Sequence, residues 1–392
     1  MPVENIVIGR NREDVKALGT KGAAFIGRHV VGEGEDAHMT NPVYMDVVRP
    51  HVVLVCGKRG SGKSYTAAVV GEEITMLPED VKKNLSVLMV DTMGIYWSMK
   101  KPNIKDSDAL KAWKMKPKSM DVRLFVPEGF MQEYKDAGVD VDGSFTLACG
   151  ELTDNDWITT FGFNMMDEHG VTIERVMKKV KSRLGSNYAI SDIIDELEKD
   201  QKADAKVKNA LVNRFEAAET WGIFRKEGTP VKDIFTRGTV TVVDVSHYAR
   251  SSSGWSVRSL LVGILSRKIF QERVMARKSE EFEAMTGESK DTIPMVWIIA
   301  DEAHQFLPAQ GENAALEPML TLIKEGREPG ISLLLITQMP NKLHGEALAQ
   351  ADLVISHRLT AQADIEALRS VMQTYMLKDI NLTLIHISEP TR

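Results

Sequence analysis

A glycine-rich segment between an apolar run and a helical pattern strongly limits the folds open to this chain. Residues 57–64 read GKRGSGKS and match the P-loop pattern G-x-x-x-x-G-K-[ST] at every constrained position. The apolar run before it, Val52–Cys56, is typical of a buried strand. The helical pattern after it stops at Pro78. A strand, a glycine loop and a helix in this order predict a P-loop α/β fold.

The residue types of this segment suit the binding of phosphate groups. Glycines let successive backbone N–H groups point at phosphate oxygens, and the following helix adds its positive dipole end. A lysine at the helix start brings charge to the β- and γ-phosphates, and the next hydroxyl can ligate Mg²⁺. The alternative is an ordinary glycine-rich turn. We predict ATP and Mg²⁺ as cofactors, held by Gly57, Lys58, Arg59, Gly60, Ser61, Gly62, Lys63, Ser64 and Tyr65.

Further apolar runs predict a parallel sheet. Residues 87–90, 240–245, 295–300 and 332–337 form short continuous runs, which are typical of strands covered on both faces. Helical patterns alternate with them, such as the one expected to begin at Pro318. The predicted fold class is therefore α/β, with an open, mostly parallel sheet flanked by helices.

The pattern changes along the chain and predicts its division. Residues 96–235 carry more charge and read as a mainly helical insertion, with one strand near residues 122–126. We assign residues 51–95 and 236–383 to the ATPase core and residues 1–50 to a short β-rich N-terminal element. Residues 384–392 (LIHISEPTR) resemble the translation of a sequencing adapter, and we expect them to be a non-native tail.

Acidic residues at strand ends are candidates for the magnesium site. Three apolar runs end in aspartate, at Asp91, Asp244 and Asp301. Asp301 is favoured because Glu302 follows it, which gives one carboxylate for the metal and one for a hydrolytic base. For Asp91 and Asp244 the alternative is a helix cap or an acidic strand end. His304 is either a relay of the nucleotide state or a polar loop residue.

Other polar side chains could contact the γ-phosphate. Gln338 ends the run 332–337 and could orient the attacking water, or it could be a turn residue before Pro340. An arginine at the γ-phosphate would stabilise the transition-state charge. The candidates are Arg327, Arg358 and Arg49, of which we favour the first two; each could instead be a surface charge.

Composition restricts the class of protein. No apolar run approaches the roughly 18 residues that cross a bilayer, so no membrane partner is expected. The two cysteines are too few for a disulfide framework, which fits a cytoplasmic setting. The net charge of −6 disfavours a protein that simply coats duplex DNA. Seven lysines between Lys100 and Lys118, and a second group from Lys178 to Arg183, could follow phosphates, but a solvated face is the alternative.

Four strings in order give the chain a family likeness. They are GKRGSGKS, IIADEAHQFLP, KEGREPGISLLLITQMP and ADLVISHRLT. Together they resemble the HerA/FtsK-like translocase branch of P-loop ATPases, and most closely the archaeal HerA-type proteins with a DUF87 ATPase domain. The likeness covers roughly residues 43–368. The short N-terminal element corresponds to a reduced form of the β-barrel that such proteins carry, and this chain ends before they do.

The resemblance implies a RecA-like core that forms a homo-hexameric ring and moves double-stranded DNA, with a nuclease as a possible partner in end processing or defence. It makes Glu302 the catalytic base, Gln338 a γ-phosphate sensor, and Arg327 or Arg358 an arginine acting at the subunit interface. Two other functions stay open. One is a nucleotide-dependent switch or assembly factor acting on a protein partner, and the other is a packaging or secretion motor acting on protein or single strands.

Overall fold

The computed structural model describes residues 4–32, 36–250, 254–287 and 292–376, together with one short strand near the C-terminus. The strands of the described chain are β1 (Ile6–Ile8), β2 (Ala23–Val31), β3 (His38–Asp46), β4 (Val52–Cys56), β5 (Leu85–Asp91), β6 (Val122–Pro127), β7 (Gly143–Phe145), β8 (Leu147–Ala148), β9 (Phe224–Arg225), β10 (Val240–Asp244), β11 (Met295–Ala300), β12 (Ile331–Thr337), β13 (Leu353–Ser356) and β14 (His386–Ser388). The helices are α1 (Arg12–Leu18), α2 (Lys63–Thr75), α3 (Glu79–Lys82), α4 (Ser107–Ala112), α5 (Met131–Asp136), α6 (Asp154–Phe161), α7 (Glu168–Leu184), α8 (Ile190–Lys199), α9 (Ala205–Glu219), α10 (Val231–Ile234), α11 (Gly254–Thr286), α12 (Leu316–Glu325), α13 (Gly345–Gln350) and α14 (Gln362–Met376).

Eight parallel strands form the main sheet, in the order β13-β4-β12-β11-β5-β10-β6-β7. Strands β5 and β12 are buried along their whole length, because helices cover both faces of the sheet. The predicted α/β fold with a parallel sheet is confirmed. The sheet also explains why its strands read as continuous apolar runs rather than as alternating ones.

Neighbouring residues of each strand enter opposite cores. Leu54 and Leu333 pack on one face, in the same cluster as residues of α6 to α9, α11 and α12. Val53 and Leu334 pack on the other face, with α2 and the N-terminal strands. This alternation follows from the two-residue period of a strand. The sheet is therefore the middle layer between two apolar cores.

The region predicted as a helical insertion takes part in the main sheet. Strand β6 pairs with β10, and β7 pairs with β6, so two strands from residues 96–235 extend the sheet at one edge. The side chains of its helices belong to the same apolar cluster as those of α11. The expectation of a single strand in this region was wrong, and the boundaries of the insertion stay a prediction.

The three N-terminal strands form a small separate sheet to which β14, near the C-terminus, is added at one edge, in the order β1-β3-β2-β14. Its link to the main sheet includes a hydrogen bond of 2.9 Å from the Trp297 indole N–H to the Val47 carbonyl. The predicted tail, residues 384–392, lies outside the described residues except for β14, which pairs antiparallel with β2.

One helix starts two residues before the proline at which the sequence predicts it to start. Helix α12 begins at Leu316, so Pro318 is its third residue rather than its first. Proline is tolerated there because the first four N–H groups of a helix have no partner within the helix.

Helix α11 is long, with 33 residues, yet no helix in the described part of the chain is both long and apolar enough to cross a membrane.

Candidate active site

The carboxyl ends of three adjacent strands bring the predicted site residues to one edge of the sheet. The order β4-β12-β11 places the P-loop, Gln338 and the Asp301–Glu302 pair side by side. The backbone N–H of Gly57 donates to the Thr337 carbonyl at 3.3 Å, which joins the P-loop to the end of β12. The carboxyl edge of a parallel sheet is where such folds bind ligands.

The P-loop has the backbone geometry that its glycines allow. Gly60 and Gly62 have φ angles of 73° and 101°, which favour glycine. Helix α2 begins directly afterwards at Lys63, whose ammonium group donates to the Lys58 carbonyl at 3.0 Å. The backbone N–H groups and the helix start thus form the cradle expected for phosphate.

Two residues at the rim of this cradle extend into solvent. Arg59 is exposed, and its charge lies close enough to Glu302 to oppose the rise of that carboxyl pKa. Tyr65 is 51% exposed and follows Ser64 on α2. Both remain candidates for contacting a nucleotide from its open side.

Ser64 and Asp301 meet at the point where a cation would be held. The Ser64 hydroxyl donates to Asp301 Oδ2 at 3.3 Å, and the backbone N–H of Glu302 donates to Asp301 Oδ1 at 2.8 Å. Burial raises the pKa of Asp301, while the Glu302 and Ser64 hydrogen bonds and the Lys63 charge oppose that rise. A hydroxyl and a carboxylate facing the same space are oxygen ligands of the kind Mg²⁺ uses. The residues present therefore fit the predicted metal.

The two alternative aspartates have other contacts. Asp91 is fully buried and accepts hydrogen bonds from four backbone N–H groups, those of Met93, Gly94, Ile95 and Tyr96. Asp244 accepts from the Ser246 backbone N–H at 2.8 Å. Asp91 therefore caps a turn, which favours its interpretation as a capping residue over a role in binding the metal.

Glu302 has an unusual backbone and a poorly satisfied side chain. Its φ of 52° and ψ of 44° are left-handed, and within the described residues Lys114 is the other non-glycine residue with a positive φ. Its Oε2 atom is buried without a hydrogen-bond partner. Burial and the neighbouring Asp301 raise the pKa of its carboxyl. Strain and an unsatisfied oxygen at one residue are typical of functional sites.

Gln338 and His304 lie against this glutamate. The Gln338 amide donates to Glu302 Oε1 at 3.2 Å. His304 Nδ1 is 3.5 Å from Glu302 Oε2 and 3.0 Å from the Thr337 hydroxyl. Burial and Lys342 lower the pKa of His304. The structure thus brings both sequence candidates to the Glu302 carboxylate.

The three candidate arginines lie at different ends of the sheet. Arg358 follows β13 beside the P-loop, where its backbone carbonyl accepts from the Lys58 N–H at 2.9 Å, and its side chain is exposed. Arg327 is also exposed but precedes β12, at the opposite edge from the P-loop. Arg49 precedes β4 at that same far edge and pairs with Asp14. Arg327 and Arg49 are therefore separated from the P-loop of their own chain by the length of a strand.

Sequence reasoning missed His357. A Cβ atom on Gly57 would lie 2.5 Å from His357 Cβ, and His357 Nε2 is 2.9 Å from the Thr66 hydroxyl of α2. Burial lowers the pKa of this imidazole. His357 therefore packs directly against the P-loop. The one signal in the sequence was that His357 follows an apolar run. That position does not reveal a contact with Gly57 or Thr66, which lie far away along the chain.

The second basic group is largely paired with acidic residues, whereas the first is paired only in part. Lys100 contacts Asp140 and Asp142, each at 2.8 Å. In the second group, Lys181 contacts Asp154 at 2.6 Å, and Lys179 and Arg183 both contact Glu196. These pairs favour a solvated face for the second group. In the first group Lys100 and Lys111 pair with aspartates and the other five lysines form no ion pair within the described part of the chain, so both interpretations stay open there.

The sequence of this chain matches the profile of a known protein family. The profile of the family described as "Helicase HerA, central domain" (DUF87) matches residues 24–269, which is more than half of the sequence. The chain belongs to the HerA central-domain family. The match includes the P-loop, whereas Asp301 and Glu302 lie beyond it. The predicted resemblance to HerA-type P-loop ATPases is confirmed.

Curated HerA proteins match over shorter stretches. The "DNA double-strand break repair helicase HerA" of Pyrococcus furiosus is 28% identical over 153 residues, covering 36% of this chain and 26% of that protein. The "Probable DNA double-strand break repair helicase HerA" of Methanocaldococcus jannaschii is 33% identical over 69 residues, covering 18% and 14%. The chain thus spans about a quarter or less of the length of these relatives.

A solved structure shares the fold of this HerA-family chain. It is VirB4 of Thermoanaerobacter pseudethanolicus, with a TM-score of 0.52, 12% identity, and coverage of 93% of this chain and 96% of that one. At this identity the likeness concerns the fold alone.

Proposed function

We propose that this chain binds Mg-ATP at residues 57–64, hydrolyses it with Glu302, and couples hydrolysis to movement along double-stranded DNA. One observation carries the hydrolytic part. Ser64 and Asp301 meet at 3.3 Å beside a partly buried, strained glutamate that a strand-end glutamine contacts at 3.2 Å. This arrangement offers a metal site and a base within one sheet edge.

Each residue has a role in this proposal. The P-loop amides and Lys63 bind the β- and γ-phosphates, and the Ser64 hydroxyl ligates Mg²⁺, with Asp301 contacting the ion through a water. When bound, Mg²⁺ supplies charge that neutralises the phosphate oxygens. Glu302 accepts a proton from the attacking water, which its partly buried position and raised pKa favour. Gln338 orients Glu302 and the γ-phosphate.

Two arginines are proposed to stabilise the transition state, each in a different position. Arg358 lies beside its own P-loop, whereas Arg327 lies at the far edge and could act only on the site of a neighbouring subunit. Either role fits the homo-hexameric ring that we propose. An arginine at the γ-phosphate is worth roughly 10³–10⁵ in turnover.

DNA as the substrate rests on the relatives. Two curated proteins that match the chain are named as double-strand break repair helicases. The proposal includes double-stranded DNA, a nuclease partner in end processing or defence, and a cytoplasmic setting. We also propose that the chain divides into a core of residues 51–95 and 236–383, a helical insertion and a β-rich N-terminal element.

A second function is favoured by the charge distribution. The net charge is −6, and three residues of the second basic group, Lys179, Lys181 and Arg183, pair with acidic side chains. A nucleotide-dependent switch acting on a protein partner needs no basic surface. Its ATPase activity would be slow and indifferent to DNA.

The ATPase rate with and without linear duplex DNA distinguishes the two functions. A DNA motor gives a stimulated rate, and the stimulation falls as salt rises because phosphate contacts release counterions. Lys63→Ala, which removes the phosphate-binding charge, serves as the background control. A rate that duplex DNA leaves unchanged at low salt contradicts the DNA part of the proposal and favours the protein partner.

A further inference from the structure

The Tyr96 hydroxyl contacts the same carboxylate oxygen as Ser64. It donates to Asp301 Oδ2 at 3.4 Å, and the side chain is 3% exposed. A buried hydroxyl costs free energy unless it has a polar partner, so its position against a carboxylate satisfies both groups. Tyr96 comes from the segment after β5, the strand next to β11 in the sheet.

The chain holds Tyr96 in place through a dedicated turn. The Asp91 carboxylate at the end of β5 accepts the backbone N–H groups of Gly94, Ile95 and Tyr96 at 2.7, 2.7 and 2.8 Å. Both Asp91 oxygens are used in this way. The turn is therefore rigid where it presents the tyrosine to Asp301.

The hydrogen bonds of Asp301 show what the tyrosine does. Asp301 Oδ1 accepts from the Glu302 backbone, while Oδ2 accepts from Ser64 and Tyr96. A hydroxyl that ligates Mg²⁺ through an oxygen lone pair keeps its O–H, so Ser64 can hold the ion and still donate to Asp301 Oδ2. Tyr96 is the second donor to Oδ2 and comes from outside the P-loop, so it orients this oxygen independently of the phosphate cradle. We propose that Tyr96 is a positioning residue that holds Asp301 for Mg²⁺, an inference that rests on the proposed Mg-ATP site.

Nucleotide binding with and without metal tests this role. The affinity for AMP-PNP, an ATP analogue that resists hydrolysis, is measured by calorimetry in EDTA and across a Mg²⁺ titration. For Tyr96→Phe we expect unchanged affinity in EDTA and about a tenfold rise in the Mg²⁺ concentration that gives half of the metal-dependent gain, as for other residues that orient metal ligands.

Tyr188→Phe is the matched control. Tyr188 is also buried, and its hydroxyl donates to the Cys149 carbonyl at 3.1 Å in the helical region. Its loss should leave the Mg²⁺ requirement unchanged. Asp91→Asn is a second test of the same role, because it weakens the turn that carries Tyr96. Like Tyr96→Phe, it should raise the Mg²⁺ concentration that the site requires.

The outcomes separate this inference from the proposed function. If the wild-type chain shows no metal-dependent binding of AMP-PNP, the Mg-ATP site itself is wrong. If the wild type binds as expected while Tyr96→Phe and Asp91→Asn keep its Mg²⁺ requirement, the positioning role is overturned. An equal loss in EDTA and in Mg²⁺ would also overturn it, because it would show a purely structural effect.

Discussion

Gln338 donates its side-chain amide to Glu302 Oε1 at 3.2 Å, across the ends of the neighbouring strands β12 and β11. The residue before it, Thr337, accepts the Gly57 N–H of the P-loop through its carbonyl. The position of the candidate base is therefore tied to the strand that also contacts the phosphate cradle.

Replacing Gln338 should separate binding from hydrolysis. In Gln338→Leu we expect unchanged ATP affinity and a turnover lowered by about 10²-fold, because Glu302 loses the donor that orients it. Gln350→Leu is the control, since Gln350 makes a similar contact of 3.3 Å with Glu346 on the solvent-exposed side of helix α13. Steady-state ATPase rates with separately measured nucleotide affinities check this. A Gln338→Leu chain with wild-type turnover would contradict the role.

The left-handed backbone at Glu302 is expected to lower the stability of the folded chain. Non-glycine residues pay about 1–2 kcal/mol in this conformation, and glycine pays almost nothing. Glu302→Gly should therefore be more stable than Glu302→Ala by about 1 kcal/mol in the free energy of unfolding, while both lose hydrolysis. Denaturant titration of the two variants measures the difference. Equal stabilities would show that the strain is absent.

The contact between Gly57 and His357 can be tested by rescue. In Gly57→Ala the new Cβ would lie 2.5 Å from His357 Cβ, so the P-loop must shift, and we expect ATP affinity to fall at least about tenfold. Adding His357→Gly removes the nearest clashing atom and should restore part of the affinity, while Ser61 Oγ, at 2.7 Å from the new Cβ, stays in place. Both are measured as the Kd for ATP.

Gly60→Ala is the matched control for that rescue. Gly60 has a φ of 73° and no atom within 4 Å of its Cβ position, so its substitution is strained by backbone conformation alone. His357→Gly should not relieve it. Rescue of both variants, or of neither, would contradict a direct contact.

His51 predicts a pH-dependent link between the N-terminal element and the core. Burial alone would lower its pKa, but the hydrogen bond with Asp352 and the Asp46 carboxylate 3.6 Å away raise the pKa of His51 from 6.5 to about 9. Because the folded value is raised, this stabilisation is fully present below pH 6.5 and is lost as the pH rises through about 9. Its size is about 1–3 kcal/mol, allowing for the partly exposed Asp352.

The denaturant midpoint of the wild type and of Asp352→Asn, compared from pH 6 to pH 9.5, measures this link. The stability difference between the two chains should shrink as the pH rises. A difference that is constant with pH would show that His51 does not carry the charge.

The parallel sheet and the P-loop could be predicted from the sequence because both depend on local signals. Strands such as Val52–Cys56 are buried on both faces and read as continuous apolar runs. The P-loop has fixed spacing, and the aspartate that precedes Glu302 follows the end of a predicted strand. These features require no knowledge of distant contacts.

Other parts of the site depend on contacts that no local pattern encodes. His357 meets Gly57, and Tyr96 meets Asp301, only because the strand order brings β13 beside β4 and β5 beside β11. The left-handed backbone of Glu302 is likewise imposed by tertiary structure. For the same reason the sequence did not show that β6 and β7 extend the main sheet.

Single-turnover ATP hydrolysis by the wild type and by Glu302→Gln tests the central claim most directly, with ATP affinity measured on the same preparations. We predict that Glu302→Gln binds Mg-ATP as tightly as the wild type and hydrolyses it at least about 10²-fold more slowly, because a neutral amide cannot accept the proton of the attacking water. A Glu302→Gln chain that hydrolyses ATP at the wild-type rate would contradict the assignment of Glu302 as the catalytic base.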